Sequence, residues 1–335
     1  MSFRTIQGGA AARRGVARLP HDRSDMLWSG DEPTALFLDS IDRWVDAMVA
    51  DEHGGGRGPK GLVDAKIVAK ASGVLCGRVV ADRLLERHFS QCSAQWLSDD
   101  GDEITSGDTI ALLDGPAESL LRMERTMLNI VGRLSGIATN TAEWSRSAEP
   151  IRVAATRKTE WGLLDKWAVH IGGGLTHRLN RSDVVMLKEN DIVAASRNGE
   201  DSVATIRFLI GEIWAPQWRE HWSQRREDYN VPNWTPMVEV RDTEEVLAAA
   251  AAWDVPGGEK IVLLVDNTGP SGIKEVIRAL SEGGLRERCV LEGSGGVTLD
   301  SLAEWSPSGV DLVSSSALNL GVPPLDLSML IGGGE

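Results

Sequence analysis

The chain has very little cysteine: three residues in 335 (Cys76, Cys92 and Cys289), an odd count in no metal-ligand spacing. A chain of this length does not need disulfide staples, so the thiols read as buried, inert groups of a protein in a reducing cytoplasm. No stretch approaches the ~18 consecutive apolar residues of a membrane span. Basic charge is scarce as well, with 35 Lys and Arg against 49 Asp and Glu, for a net charge of -14. Such a surface repels a phosphodiester backbone, and no basic stripe or aromatic stacking motif offsets it, which argues against nucleic acid as a partner. There is no Walker loop, no Rossmann glycine fingerprint, no nucleophile elbow and no histidine pair at helical spacing for zinc. Residues 1–30 hold Arg4, Arg13, Arg14, Arg18 and Arg23 without the apolar run of a secretory signal, and read as a disordered extension.

Against this acidic background one stretch reverses sign. Between Arg157 and Lys188 six Lys and Arg stand against three Asp and Glu, around a triple glycine at 172–174. A cationic pocket on an anionic chain implies a small, highly anionic ligand.

With 42% hydrophobic and 25% charged residues the chain can build one large or two modest domains. Thr34 to Ala50 has helical apolar spacing, and strand-like pieces follow at 65–71, 74–77 and 110–113. Pro116 then suits the first turn of a long helix, with Leu120, Met123, Met127, Ile130, Leu134 and Ile137 on one side. This part reads as a small α+β domain. From Ile151 short apolar runs alternate with helical stretches: 151–156, 184–188, 237–241, 260–267, 289–295 and 310–316. That grammar is repeated βα units with a parallel sheet, either open and doubly wound or closed. Every run ends in polar or glycine residues, which favours a barrel, where all strand ends meet at one mouth.

At those ends lie the candidate groups. Arg157 and Arg178 suit carboxylates and phosphates through paired donors, while Lys158 and Lys188 act as point charges. Lys188 follows four apolar residues, where an unpaired ammonium would be costly. His177 either bonds a substrate carboxylate or packs. Glu239 and Asp266 end apolar runs and either hold Mg²⁺ with phosphate oxygens or form salt bridges with nearby lysines. Ser294, Gly295 and Gly296 can offer backbone N–H groups to a phosphate. Trp214, Trp218, Trp222 and Trp234 lie in a polar insertion and are expected to cover a barrel helix or a subunit contact.

ERTMLNIVGRLSGIAT (Glu124 to Thr139), TRKT, GGGLTHR, VMLKEN, VEV, VDN, EGSGG and GVDLVSSSAL, in this order over roughly residues 60–330, resemble the quinolinate phosphoribosyltransferase family. The resemblance implies an α/β protein with an N-terminal α/β sandwich (31–143), an incomplete TIM-like α/β barrel (144–319) and a tail (320–335) that returns to the first domain. It implies a homodimer with shared active sites, or a higher oligomer built from it. The implied reaction joins quinolinate to phosphoribosyl pyrophosphate with decarboxylation, giving nicotinate mononucleotide, pyrophosphate and CO₂ for NAD biosynthesis. By resemblance, Arg125 reaches a quinolinate carboxylate across the dimer, and Arg157, His177 and Arg178 bind the dicarboxylate within one subunit. Lys158 and Lys188 stand between the two substrates, Glu239 and Asp266 match the carboxylates for Mg²⁺ and ribose, and Ser294, Gly295, Gly296 and Ser316 belong to the phosphate end. The chain departs from the family pattern at Glu160–Trp161–Gly162, at Asp191, where a histidine is usual, in an insertion between Lys188 and Glu239, and at Ser316 and Asn319–Leu320–Gly321. A paralogue acting on another aromatic acid, or an inactive binding homologue, remains open at this stage.

Overall fold

A computed structural model describes residues 19–52, 58–196, 199–213, 235–255 and 258–332. The four insertion tryptophans and the first 18 residues lie outside this set. Strands β1 (Trp28–Ser29) and β2 (Glu32–Pro33) form a short antiparallel pair. Thr34 then caps α1 (Ala35–Asp51), its side chain accepting from the Phe37 N–H, and Phe37, Ile41 and Val45 repeat every four residues to bury one face. Next come β3 (Leu62–Ala69), β4 (Gly73–Val74), α2 (Arg78–His88), β5 (Ser93–Trp96), β6 (Glu103–Ile104) and β7 (Thr109–Pro116). Pro116 ends β7 and leads into α3 (Ala117–Ala148), whose six expected stripe residues from Leu120 to Ile137 are all fully buried.

The second half continues with β8 (Arg152–Ala154), α4 (Leu163–Ile171), β9 (Met186–Leu187), α5 (Glu189–Ala195), α6 (Ser202–Ile213), β10 (Met237–Val240), α7 (Thr243–Ala252), β11 (Ile261–Asp266), α8 (Gly269–Glu282), β12 (Cys289–Ser294), α9 (Leu302–Trp305) and β13 (Leu312–Ser314). All of its strands run parallel in the order β8-β13-β12-β11-β10-β9, and Leu175 adds a parallel bridge to Ala154 beyond β8. An open sheet would keep its two edges apart. Here Ala154, Leu175, Val184, Met237, Val262, Val290 and Leu312, one from each segment, pack in a single cluster, so the sheet curls round a common interior. The fold is therefore the incomplete barrel, and the carboxyl ends of its strands share one mouth.

The tail does return to the first domain. Strand β14 (Leu327–Ile331) pairs antiparallel with β3, completing the sheet β14-β3-β7-β5. On its way the chain crosses α3, where the Leu325 N–H donates to the Gly132 carbonyl at 2.8 Å. A Cβ at Gly136 would overlap the Pro323 carbonyl oxygen, a backbone atom that cannot rotate aside. Gly136→Ala is therefore expected to lower stability by ~1–3 kcal/mol, despite the better helix propensity of alanine. An unchanged urea midpoint would show that the crossing is looser than described.

One expectation is corrected. Residues 19–30, assigned by composition to a disordered extension, are folded: His21, Arg23 and Leu27 are fully buried. Counting arginines overlooked the apolar Leu19, Pro20, Met26 and Leu27 between them. Leu19 packs against the inner barrel cluster, and Trp28 stacks on Trp167 of α4 with ring centroids 5.1 Å apart. No helix among the described residues is long and apolar enough to cross a membrane. The three cysteines are free and buried.

Candidate active site

Side chains alternate between the barrel interior and its outer face along each strand, so register places the groups at the mouth. Asp266 and Ser294 are direct neighbours at the carboxyl ends of β11 and β12. The loop that follows holds Gly295 with φ +90°, and a Cβ there would overlap the Asn267 side-chain oxygen. Only glycine lets that turn close against Asn267, whose amide donates to Asp266 at 2.6 Å. The Ser315 hydroxyl donates to the Val297 carbonyl at 2.9 Å, which brings the turn at Ser316 beside this loop. One step lower, Glu239 on β10 forms an ion pair with Lys188, which follows β9. Lys188 is 45% exposed and Glu239 15%, so a ligand can reach the pair from the Lys188 side. Asp191 accepts the Lys188 N–H at 3.0 Å and caps α5.

Arg157 and Lys158 are exposed on the loop after β8. That loop is fastened from below. Asp165, fully buried in the first turn of α4, accepts the N–H groups of Glu160 (2.9 Å) and Trp161 (3.3 Å) and the guanidinium of Arg133 (3.0 Å). Asn319 donates to Asp165 at 3.2 Å and to the Lys158 carbonyl at 3.0 Å. Arg133 also pairs with Glu160 at 2.7 Å and lies 4.9 Å from the Trp161 ring, and Trp161 stacks on Trp44 of α1.

Between α1 and this loop opens a cleft of about 420 Å³, lined among others by Arg43, Trp44, Arg157, Gly162, Lys166 and Asn180. Lys166 is almost fully buried and donates to the Thr176 carbonyl at 2.7 Å. Burial pushes its ammonium down to about 7, and the Arg157 and Arg178 charges add to the effect against Asp183 and Asp165. Arg178, also buried, is held below its ordinary range by burial first and by Arg157 next. Arg157, Lys166 and Arg178 are therefore one group of mutually repelling cations, which an anion would relieve.

His177 is placed differently from a simple substrate contact. It is buried at φ +55°, and its Nδ1 accepts the Arg178 N–H at 2.7 Å. That leaves the ring proton on Nε2, which donates to Glu292 at 3.2 Å. Both nitrogens are thus engaged within the protein, and burial pulls the imidazole down to about 4, so it is neutral. Glu292 sits fully buried on β12 and also accepts from His21 Nε2 at 2.9 Å. Burial would raise its carboxyl, but His177 and His21 beside it hold it well below the usual range. These three residues have metal-ligand spacing, yet a ligating His177 would need its Nε2 lone pair, which the proton occupies.

The structure thus gathers Arg157 with Arg178, Lys188 with Glu239, and Asp266 with Ser294, Gly295 and Gly296 around one mouth, whereas Arg125 stands exposed on α3 outside the cleft. Lys166, Glu292, His21 and Arg43 were not singled out from sequence. Glu292 was legible: it interrupts the apolar run CVLEGS just as Glu239 interrupts MVEV. Lys166 was disguised as an ordinary charge of an amphipathic helix.

The C-terminal domain of quinolinate phosphoribosyl transferase matches residues 137–330 and the N-terminal domain matches residues 57–135. The chain belongs to the quinolinate phosphoribosyl transferase family. Among its relatives is the probable nicotinate-nucleotide pyrophosphorylase (carboxylating) of Methanothermobacter thermautotrophicus, 36% identical over 81% of this chain and 89% of that protein. The mitochondrial quinolinate phosphoribosyltransferase (decarboxylating) 2b of Nicotiana tabacum is 31% identical over 80% of this chain and 73% of its own length. The crystal structure of NadC from Streptococcus pyogenes, at 29% identity, covers 89% of this chain and 99% of that one with a TM-score of 0.70. The family matches begin at residue 57, so His21, Arg23 and α1 lie outside them.

Proposed function

We propose that the protein transfers a phosphoribosyl group from phosphoribosyl pyrophosphate to quinolinate and releases CO₂, giving nicotinate mononucleotide and pyrophosphate. The observation that supports this reading best is the cluster of Arg157, Lys166 and Arg178, two of them buried, on a chain of net charge -14. Three cations held together in a family of dicarboxylate phosphoribosyltransferases suit a dianion better than any neutral ligand. Arg157 and Arg178 receive the two carboxylates. Lys158 and Lys188 screen the dianion from the phosphorylated sugar, so the ring nitrogen can approach the anomeric carbon as pyrophosphate leaves. The pyridinium so formed stabilises the carbanion left when the 2-carboxylate departs as CO₂. Ser294, the Gly295–Gly296 loop and the Ser316 turn receive the 5′-phosphate.

The half-buried carboxylates of Glu239 and Asp266 fit magnesium, a hard cation that takes one or two protein carboxylates and completes its shell with phosphate oxygens and water. When bound, the ion would neutralise pyrophosphate charge. We also propose a homodimer. Leu112 and Leu330 flank Lys66 on the outer face of the first sheet, Leu62 lies further along the same face of β3, and all three leucines are exposed. Arg125, exposed on α3 four residues beyond Leu121, is suited to reach a second subunit. The free thiols accord with a reducing, cytoplasmic setting.

Incubation with quinolinate, phosphoribosyl pyrophosphate and Mg²⁺ should release pyrophosphate and CO₂ in equal amounts. Pyrophosphate without CO₂, using another pyridine acid, would mark a paralogue, and no turnover would leave only a binding protein. Binding should also take up a proton. A dianion beside Lys166 favours its charged form and raises its pKa from about 7. Affinity should therefore weaken as pH rises from about 7 to about 9, with proton uptake in that window. Calorimetry in two buffers of different ionisation enthalpy measures it, and identical heats would exclude the effect.

A further inference from the structure

The segment before α1 enters the barrel interior from outside the family matches. Leu19, like Met186, packs on the inner cluster. The Thr176 hydroxyl is bracketed by this segment, accepting the Arg23 N–H at 2.7 Å and donating to the His21 carbonyl at 3.3 Å. Thr176 precedes His177 and Arg178, so the anion-binding strand end is sewn to residues 21–23. His21 completes the junction. Its ring meets that of His177 edge-on at 5.1 Å, and its Nε2 lies 2.9 Å from the same Glu292 carboxylate that receives the His177 proton. The opposite nitrogen, Nδ1, is buried and has no hydrogen-bond partner among the described residues. Nε2 therefore carries the proton, and Glu292 is the hydrogen-bond partner of the ring.

Two imidazoles thus share one ionised carboxylate. Glu292 is fully buried and needs more than one donor to remain an acceptor. Without His21 it would draw on His177 alone, and His177 is also the group whose Nδ1 holds the Arg178 backbone. We infer that His21 is a positioning residue of the anion site: by sharing Glu292 with His177 it fixes the turn that presents Arg178 to a dicarboxylate. His21 lies outside the segments that match the family, so it is an addition of the N-terminal segment to the site. The inference rests on the proposed quinolinate chemistry.

The test compares His21→Gln with His21→Leu in the full-length enzyme, after the unmodified protein has been shown to turn over quinolinate. Gln keeps an N–H donor near the Nε2 position, whereas Leu fills similar space without one. His21→Leu is expected to raise the KM for quinolinate about tenfold, with kcat changed less than about twofold and the KM for phosphoribosyl pyrophosphate unaltered. His21→Gln should restore most of the quinolinate KM. Thermal melting of both variants reports folding independently. The proposal is overturned if Gln and Leu are equally impaired, because packing alone would then explain His21, or if neither changes the quinolinate KM. It is overturned also if both substrates lose affinity alike. A wild-type protein inactive on quinolinate would instead refute the functional reading itself.

Discussion

Arg157→Ala is expected to lower kcat/KM for quinolinate by about 100-fold or more, ~2.7 kcal/mol of transition-state stabilisation. The pinned loop matters here as much as the charge. Arg157 is exposed, yet its backbone is fixed by Asp165, Asn319 and the Thr156 hydroxyl, which accepts the Lys158 N–H at 3.1 Å. A guanidinium on a pinned loop meets a carboxylate with two parallel donors and little loss of freedom. Lysine supplies the charge but not the fork, so Arg157→Lys should recover only part of the loss. Since the side chain is exposed and outside the core, the melting temperature of either variant should stay within a few degrees of wild type. Steady-state kinetics with both substrates decides the matter, and near-native turnover by Arg157→Ala would remove this residue from the site.

The second large effect concerns assembly. Arg125→Ala and Arg157→Ala should each be nearly inactive alone, yet a mixture allowed to exchange subunits should recover about a quarter of wild-type activity. Random exchange makes about half the dimers hybrids. Each hybrid has one site bearing both substitutions and one bearing neither, provided Arg125 serves the partner's site. If Arg125 served its own subunit, every site would carry one lesion and mixing would restore nothing. The readout is turnover before and after exchange, with wild type as reference.

The alternation of runs from Ile151 onward made the βα grammar legible, because parallel strands buried on both sides are mostly apolar, and polar residues gather toward their carboxyl ends. The same rule exposed Lys188, Glu239, Asp266 and Ser294. Closure of the sheet was not encoded in any single run; it emerges from seven inward side chains meeting in one cluster. His177 was visible as a motif residue, but its partner Glu292 is 115 positions away and its second neighbour His21 earlier still, so no spacing could link them. The burial of His21, Arg23 and Leu27 was hidden for a related reason: arginines in a short segment look solvated until a cavity of matching polarity is known. Lys166 needed the same three-dimensional knowledge, since helical periodicity does not reveal that a neighbouring loop closes over its ammonium.

Two of the places where this chain departs from its family pattern touch each other. Glu160 and Trp161 give their N–H groups to Asp165, and Asn319, from the far end of the barrel, donates to that same carboxylate and to the Lys158 carbonyl. The loop after β8 and the turn at Asn319 are therefore one hydrogen-bonded unit. A hybrid enzyme given either piece from a relative should work poorly, whereas one given both should regain its function, so evolutionary traffic between these sequences would have to move in pairs.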